Sequence, residues 1–481
     1  MPVSTSLASA PTTQPCAWRT AVLRPAVEFP VTPLPVLAGA VPVELQGTLY
    51  RNGSGRLEHG GQRMGHWFDG DGAVLAVQLR AGVAQATYRY VQTAGYQAET
   101  AANRLIFGNY GTVPAGPLWN RFGKSPKNVA NTSVLALGDR LLALWEAGEP
   151  HALDLNSLQT LGLSALDGLS GLPYSAHPKC DPQTGEIYNF GVSFGRRATL
   201  NLYRSDRHGQ LLRKAQFLLA GVPLIHDFVL AGRYLVFAVP PVQIATLPLL
   251  LNLKSASEAM QWQPALGTQI LVFDRETLEL TARYTAEPWY QWHFGNGCVT
   301  AAGEIQLTLV MYPDFRTNDY LREVAQGQIE SVVQGNLGLL RIDPHGRNGL
   351  QVEPLSDRPC EFPTVPVAEV GQRLTHTYLN LHRPGDLERG ELFGAIAQFH
   401  HPSATLTVAD CGSQHYPSEP LFAPHPTEPD RGWVLTVVYD GTRDQSEVWI
   451  YGSDRLSEAP CCRLALPQVV PPSFHGVWNP A

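Results

Sequence analysis

A short unit returns along this chain at a nearly constant interval, and that interval constrains the fold more tightly than any composition does. The unit is an apolar strand, an Asp, a turn and another strand. It reads LYRSDRHGQLL at Asp206, LVFDRETLEL at Asp274, LLRIDPHGRNGL at Asp343 and LTVADCGS at Asp410, with spacings of 68, 69 and 67 residues. Weaker copies sit at Asp154 and Asp454. A constant period of this kind is a supersecondary repeat. A companion unit, a Gly-containing turn followed by an alternating strand, recurs as LGDRLLALWEAG, LAGRYLVFAV, AAGEIQLTLVMY, VGQRLTHTYLN and DRGWVLTVVYD. A β-propeller produces both patterns, because its four-stranded blades repeat around a central channel. At this period 481 residues predict an all-β, seven-bladed propeller, a single domain over residues 18–481.

The repeat also aligns polar residues. His226 is 6 residues before Gly232, His293 is 10 before Gly303, Glu361 is 10 before Gly371 and Glu419 is 13 before Gly432. Thr132 is 6 before Gly138, and His177 is 8 before Gly185. Equivalent positions in successive blades fall on one end of one axis. Four histidines have the surroundings of strand ends: His177 in YSAHPKCDP, His226 in PLIHDFVLAG, His293 in QWHFGNG and His475 in PPSFHGVW. No two lie at a local metal spacing, so only the fold brings them together. Four neutral imidazoles without a carboxylate ligand would leave Fe²⁺ its full charge and open positions for O₂ and an organic substrate. Four protein ligands on Zn²⁺ would instead close a tetrahedral site. His66, His400, His401, His415 and His425 read as surface or structural. FDGDG (68–72) reads as a tight blade turn, since it lacks the later Glu of a Ca²⁺ loop. RNGSG (51–55) is too short to imply a nucleotide site.

Charge and cysteines narrow the function classes. A net charge of −7 without a basic stripe argues against nucleic acid. Seven cysteines, an odd number with no CxxC pair, fit a reduced, cytosolic protein. No apolar run is long enough to span a bilayer. Residues 1–17 lack an apolar core and a basic start, and read as a mobile tail and not a signal peptide. Residues 240–269 depart from the blade pattern. They carry the apolar patch ATLPLLLNL, with Leu247, Leu249, Leu250 and Leu251, followed by a short helix. This segment reads either as a capping insertion or as a membrane-dipping patch beside a tunnel mouth, and its periodicity does not decide.

These motifs together resemble the carotenoid cleavage oxygenase family, close to its cyanobacterial apocarotenoid-cleaving members. The likeness runs from VPVELQGTLYRNGSG and FDGDGAV through SAHPKCDP, IHDF and CEFPTV to FHGVW. It implies a seven-bladed propeller with a small helical and loop cap over the metal face and one non-haem Fe²⁺ per chain. It also implies O₂-dependent cleavage of a conjugated C=C bond into aldehyde or ketone products. By motif match His177, His226, His293 and His475 would be the iron ligands. Glu146, Glu361 and Glu419 would accept the free N–H of three of them, leaving His177 without a carboxylate. Thr132 matches a threonine whose methyl group crowds one open iron position. Around His293 the chain reads WHFGNG where many relatives have Phe before the His, so Trp292 adds bulk near the metal.

The leading expectation is therefore an iron dioxygenase acting on a carotenoid or apocarotenoid, cytoplasmic and peripherally membrane-associated, with no obligate protein partner and no nucleic acid. An apolar tunnel would choose which bond breaks by positioning it. Trp145, Trp292, Tyr312 and Phe362 flank the ligand and glutamate strands and read either as generic core or as that tunnel's lining. The same family includes stilbenoid-cleaving enzymes and a retinoid isomerohydrolase, so membership does not fix the substrate. A stilbenoid would need a Lys or Tyr to orient a phenol, with Lys124 and Lys127 as candidates. A catalytically inactive metal-binding propeller would have lost a ligand or a glutamate, and this chain retains all seven.

Overall fold

The strand Tyr234–Val239, YLVFAV, has no polar face, and its neighbours explain why. A computed structural model gives the fold and describes residues 16–113, 116, 125–164, 166, 168–195, 197–250, 253–344, 349–428 and 431–481, with Leu250 described in its backbone only. Alternate side chains of a strand point to opposite faces. Here Leu235, Phe237 and Val239 pack with Phe190, Leu200 and Leu202 of the preceding sheet. Val236 and Ala238 pack with Ile305, Leu307 and Leu340 of the following sheet. A sheet buried on both faces has to read as a continuous apolar run. The architecture is all-β and propeller-like.

Five sheets have four antiparallel strands each. They begin at Ser133–Ala136, Lys179–Cys180, Val229–Ala231, Phe294–Val299 and Cys360–Thr364. The other two large sheets depart from the expected uniform blade. One has five strands, because Gly476–Pro480 pairs with Gly47–Arg56 and Phe29–Pro33 adds an outer strand. The other has six, with the early strand Val36–Gly39 paired onto Cys462–Ala465. Seven like blades were expected; five sheets are regular and the two larger ones differ, since both chain ends are stitched into them.

The turns carry the repeat, with one correction. Asp154, Asp206, Asp274, Asp343 and Asp454 all sit between the third and fourth strands of their units. The carboxylates of Asp154, Asp206 and Asp274 accept backbone N–H groups two to four residues on, which closes the turn locally. Asp410 instead ends a fourth strand, Thr405–Asp410, so its spacing of 67 is coincidental and the weaker copies are the true equivalents. The glycines of the companion unit do separate first from second strands. Gly232, Gly303 and Gly371 have φ of +55, +85 and +72°, which glycine tolerates.

Helices are few. Thr317–Gln326 buries Tyr320, Val324 and Ala325 on one face and ends at Gly327, with φ +73°. It packs against Trp18–Leu23 and against the turn Trp67–Asp69. Cys16 and Ala17 pack on the same cluster, so the expected tail does not extend to residue 17; residues 1–15 lie outside the described residues. Segment 240–269 interrupts a sheet between its second and third strands. It forms the hairpin Val242–Ile244 with Met260–Trp262, and two short helices, Thr246–Leu250 and Ala256–Ala259, where one was expected. Ser257 and Asn318 tie it to the long helix, Oγ to the side-chain amide at 2.9 Å. Leu247 is 67 % exposed and Leu249 is half-buried, while Leu251 and the Leu250 side chain lie outside the described residues. No helix among the described residues is long and apolar enough to cross a membrane.

Candidate metal centre

Each singled-out residue sits at the same end of its sheet. His226 precedes Val229–Ala231, His293 precedes Phe294–Val299 and His475 precedes Gly476–Pro480. His177 precedes Lys179–Cys180, Thr132 precedes Ser133–Ala136 and Glu419 precedes Leu421–Pro424. Glu361 lies at the start of Cys360–Thr364. Glu146 follows the second strand Leu141–Leu144, which runs antiparallel and so returns to that end. Several first strands of neighbouring sheets pack on one another, Val229–Ala231 on Phe294–Val299 and Gly476–Pro480 on Ser133–Ala136 among them, which brings these ends together.

The four histidines converge. One ring nitrogen from each lies within 4.8 Å of the others, and all four residues are buried. The Nε2 atoms of His177 and His226 are 3.1 Å apart, and those of His226 and His293 are 3.2 Å apart. Three imidazoles are held from behind. His293 Nδ1 donates to Glu361 Oε2 at 2.6 Å and His475 Nδ1 to Glu419 Oε1 at 2.8 Å. His226 Nδ1 contacts Glu146 Oε1. None of the described carboxylates pairs with His177, whose backbone N–H donates to Ser175 Oγ.

That arrangement fixes the tautomers. With Nδ1–H donated to a carboxylate, the Nε2 lone pair points inward. Facing lone pairs repel unless a cation sits between them. Burial, followed by the neighbouring imidazoles, pushes the His177 pKa well below the usual range and keeps it neutral. Burial likewise lowers that of His475, against the opposing pull of Glu419. For His293 the burial effect is outweighed by Glu361, and the value is raised. The donor set fits a divalent transition metal with positions left open.

The surrounding cavity is mostly apolar. Trp292, Tyr312 and Phe362 line it, as does Thr132, whose hydroxyl donates to Asn131 Oδ1 at 3.1 Å. Trp145 is not among the lining residues; its ring lies over Gly148, where an added Cβ would come within 3.1 Å of it. Trp292 meets the His226 ring edge-on at 4.9 Å, and its indole N–H donates to Thr317. Phe362 has φ +55°, a costly conformation for an aromatic residue. Its N–H is taken by Glu361, and its ring stacks on His293 at 5.5 Å. The strain thereby places one aromatic face against a histidine of the cluster.

Sequence reasoning missed several contributors. Phe68 lies parallel to His226 at 6.3 Å, and Phe474 and Phe393 also line the cavity. FDGDG closes the connection between Gly47–Arg56 and Asp71–Arg80, two paired strands of the five-stranded sheet. It is a 3₁₀ turn leading into Asp71–Arg80, with Asp69 accepting from Gly111 and Thr112. Arg51 of RNGSG is buried, and its guanidinium donates to Glu419 Oε2 at 2.8 Å and to Phe474 O at 3.0 Å. An arginine inside an apolar strand was the available signal, because a buried guanidinium requires an anion. Lys127 is buried between Glu99 (2.6 Å) and Asp71, and Asp71 also takes His59 at 2.7 Å. That ammonium is spent on the acidic cluster and does not line the cavity. Lys124 lies outside the described residues. His66 is structural, its Nδ1 accepting from Phe68 N, and His400, His401, His415 and His425 are away from the cluster.

Comparison with known proteins agrees with this geometry. The family model described as retinal pigment epithelial membrane protein matches residues 23–480. The apocarotenoid-15,15′-oxygenase of Synechocystis is 32 % identical over 455 residues, covering 92 % of this chain and 91 % of that protein. Resveratrol cleavage oxygenase 1 of Aspergillus fumigatus is 28 % identical, with 92 % and 91 % covered. The crystal structure of a cobalt-substituted Synechocystis apocarotenoid oxygenase superposes with a TM-score of 0.88 at 30 % identity, over 97 % of this chain and all of that one.

Proposed function

The chain belongs to the retinal pigment epithelial membrane protein family of carotenoid oxygenases, and from that membership and the four converging imidazoles we propose an iron(II) dioxygenase that cleaves an apocarotenoid. The reaction is R–CH=CH–R′ + O₂ → R–CHO + R′–CHO. His177, His226, His293 and His475 would hold Fe²⁺, which supplies the redox chemistry that lets O₂ react with a conjugated double bond. The chain's own part is positioning. Glu146, Glu361 and Glu419 keep three imidazoles oriented, while His475 and Arg51 together hold Glu419 ionised and in place. Phe68, Trp292 and Phe362 offer flat apolar faces that align a polyene and exclude water. Thr132, its hydroxyl spent on Asn131, presents little polarity beside the cluster. Among the described residues no general base is placed beside the cluster, and oxidative cleavage does not call for one.

The observation that carries this reading is the four-imidazole cluster, without a carboxylate ligand, at the end of an apolar cavity. We count the enlarged five- and six-stranded sheets as two further blades. This reading is supported by the seven residues His177, His226, His293, His475, Glu146, Glu361 and Glu419, no two of which start from the same sheet. The helix Thr317–Gln326 then belongs to a cap, since Thr317, Tyr320 and Leu321 close the cavity. Leu247 is the exposed part of a membrane-facing patch that would collect lipid-dissolved substrate. The test is aerobic incubation of Fe²⁺-loaded protein with carotenoids, apocarotenals and resveratrol. Mass identification of paired carbonyl products from an apocarotenal supports the proposal; products from resveratrol alone would overturn it.

A further inference from the structure

The cavity holds a polar group that the centre does not use. His382 follows the strand His376–Leu381 and lines the cavity with only 5 % of its surface exposed. Its Nδ1 is buried and has no hydrogen-bond partner. It stands three rings from the histidine cluster: His293 stacks on Phe362 at 5.5 Å, Phe362 meets Phe393 at 6.0 Å, and Phe393 meets His382 at 4.2 Å. A second lining residue, Tyr320, also has a buried hydroxyl without a partner.

Unpaired buried polar atoms are uncommon and cost stability, so each needs a reason. Asp386, the acid that acts on His382, is itself engaged by Arg383 at 3.2 Å and Arg389 at 2.8 Å. Burial pushes the His382 pKa down to about 4, so the ring is neutral at neutral pH. A neutral imidazole offers one donor and one acceptor. An alcohol hydroxyl can accept from the donor or donate to the acceptor, whereas a carboxylate or phosphate calls for a cation. Among the described residues that line the cavity there is no Lys or Arg.

We propose that His382 binds a hydroxyl on the end ring of the polyene and thereby selects hydroxylated apocarotenoids over hydrocarbon-ended ones. The inference rests on the apocarotenoid reading above and adds its polar-end specificity. A site built to hydrogen-bond a hydroxyl rejects the analogue that lacks it, because its own polar group is then left unpaired. His382 is a binding residue here and takes no part in bond cleavage.

The experiment uses full-length Fe²⁺-loaded protein and a matched pair: an apocarotenal with a hydroxylated end ring and its deoxy counterpart. We expect wild type to favour the hydroxylated member by about tenfold or more in kcat/KM, mostly through KM. His382→Leu should bring that ratio to within about twofold of one, and His382→Gln, which keeps a donor and an acceptor, should restore part of it. Quenching of tryptophan fluorescence, with Trp67 and Trp292 in the cavity wall, gives the same two affinities without turnover. If neither compound is cleaved, the cleavage reading fails, while the affinity ratio still decides the subsite. A wild-type ratio near one in both measurements overturns the proposal without recourse to any variant, and so does a His382→Leu protein that keeps the wild-type ratio.

Discussion

Each of three imidazoles at the centre has its outer nitrogen committed to a glutamate, and that contact decides which nitrogen faces inward. Replacing Glu361 by Gln keeps the shape but allows an amide N–H to face the imidazole N–H. Glu361→Gln and Glu419→Gln should therefore lose about 10–100-fold in metal affinity or turnover. Metal analysis after dialysis against a weak chelator checks this, and wild-type metal content in both variants would reduce the glutamates to a packing role. The histidines and glutamates were legible because each sits in a distinctive motif, five of them 6 to 13 residues before a turn glycine. Arg51, Phe68 and His382 were not. Arg51 acts on a glutamate 368 residues away, Phe68 was hidden in a motif read for its aspartates, and His382 has no partner to betray it. For Trp145 the sequence left core and tunnel lining open, because adjacency to Glu146 says nothing about the direction of an alternate side chain.

Elements were legible wherever the period of two was combined with a turn signal. The glycine turns recur between first and second strands, and at Gly232, Gly303 and Gly371 the chain reverses with φ > 0. Gly232 makes this testable: its φ is +55°, and an added Cβ would lie 2.8 Å from Val299 Cγ2. Gly232→Ala should destabilise by about 1–2 kcal/mol, read as a lower denaturation midpoint at unchanged slope. An unchanged midpoint would show that the neighbouring sheet yields freely. Asp410 misled because aspartate serves a turn at either end of a fourth strand, so composition alone does not say which turn it marks. The 240–269 insertion was legible as a departure but not as two helices on a hairpin, since its shape is set by docking onto Asn318. Its exposed Leu247 bears on membrane contact. Burying a leucine contributes roughly 1.5–3 kcal/mol, so a few suffice for reversible attachment. A Leu247→Ser, Leu249→Ser double variant should bind liposomes more weakly and slow cleavage of lipid-embedded substrate more than of detergent-dispersed substrate. Equal slowing in both would assign the segment to packing.

At the scale of the whole molecule, buried histidines couple stability to pH, and the metal couples it to occupancy. Burial pushes His66 down to about 3 and His151, His382 and His401 to about 4, against about 6.5 when unfolded. Above pH 6.5 neither state binds these protons. As pH falls from 6.5 towards 4 only the unfolded chain takes them up, so stability is lost across that window. Asp69, raised to about 6 by burial, works in the opposite sense between pH 6 and 4 and offsets one of the four. Unfolding should therefore take up about three protons near pH 5 from this set, measurable as the slope of unfolding free energy against pH; a flat profile there would contradict the neutral assignment. The four cluster imidazoles add a separate linkage. They come from four different sheets, so an ion that binds them binds only the folded ring. Such an ion stabilises by about 2.7 kcal/mol at a hundredfold excess over Kd, and removing it should lower Tm by about a few degrees. Chelation followed by stepwise return of Fe²⁺ should restore Tm in step with metal content, saturating near one ion per chain. In His293→Ala the same titration should leave Tm unmoved, because the ligand set is broken while the sheets remain. A chelated protein with wild-type Tm would mean that the cluster is held together by its glutamates and packing alone, and that the ion does not close the ring.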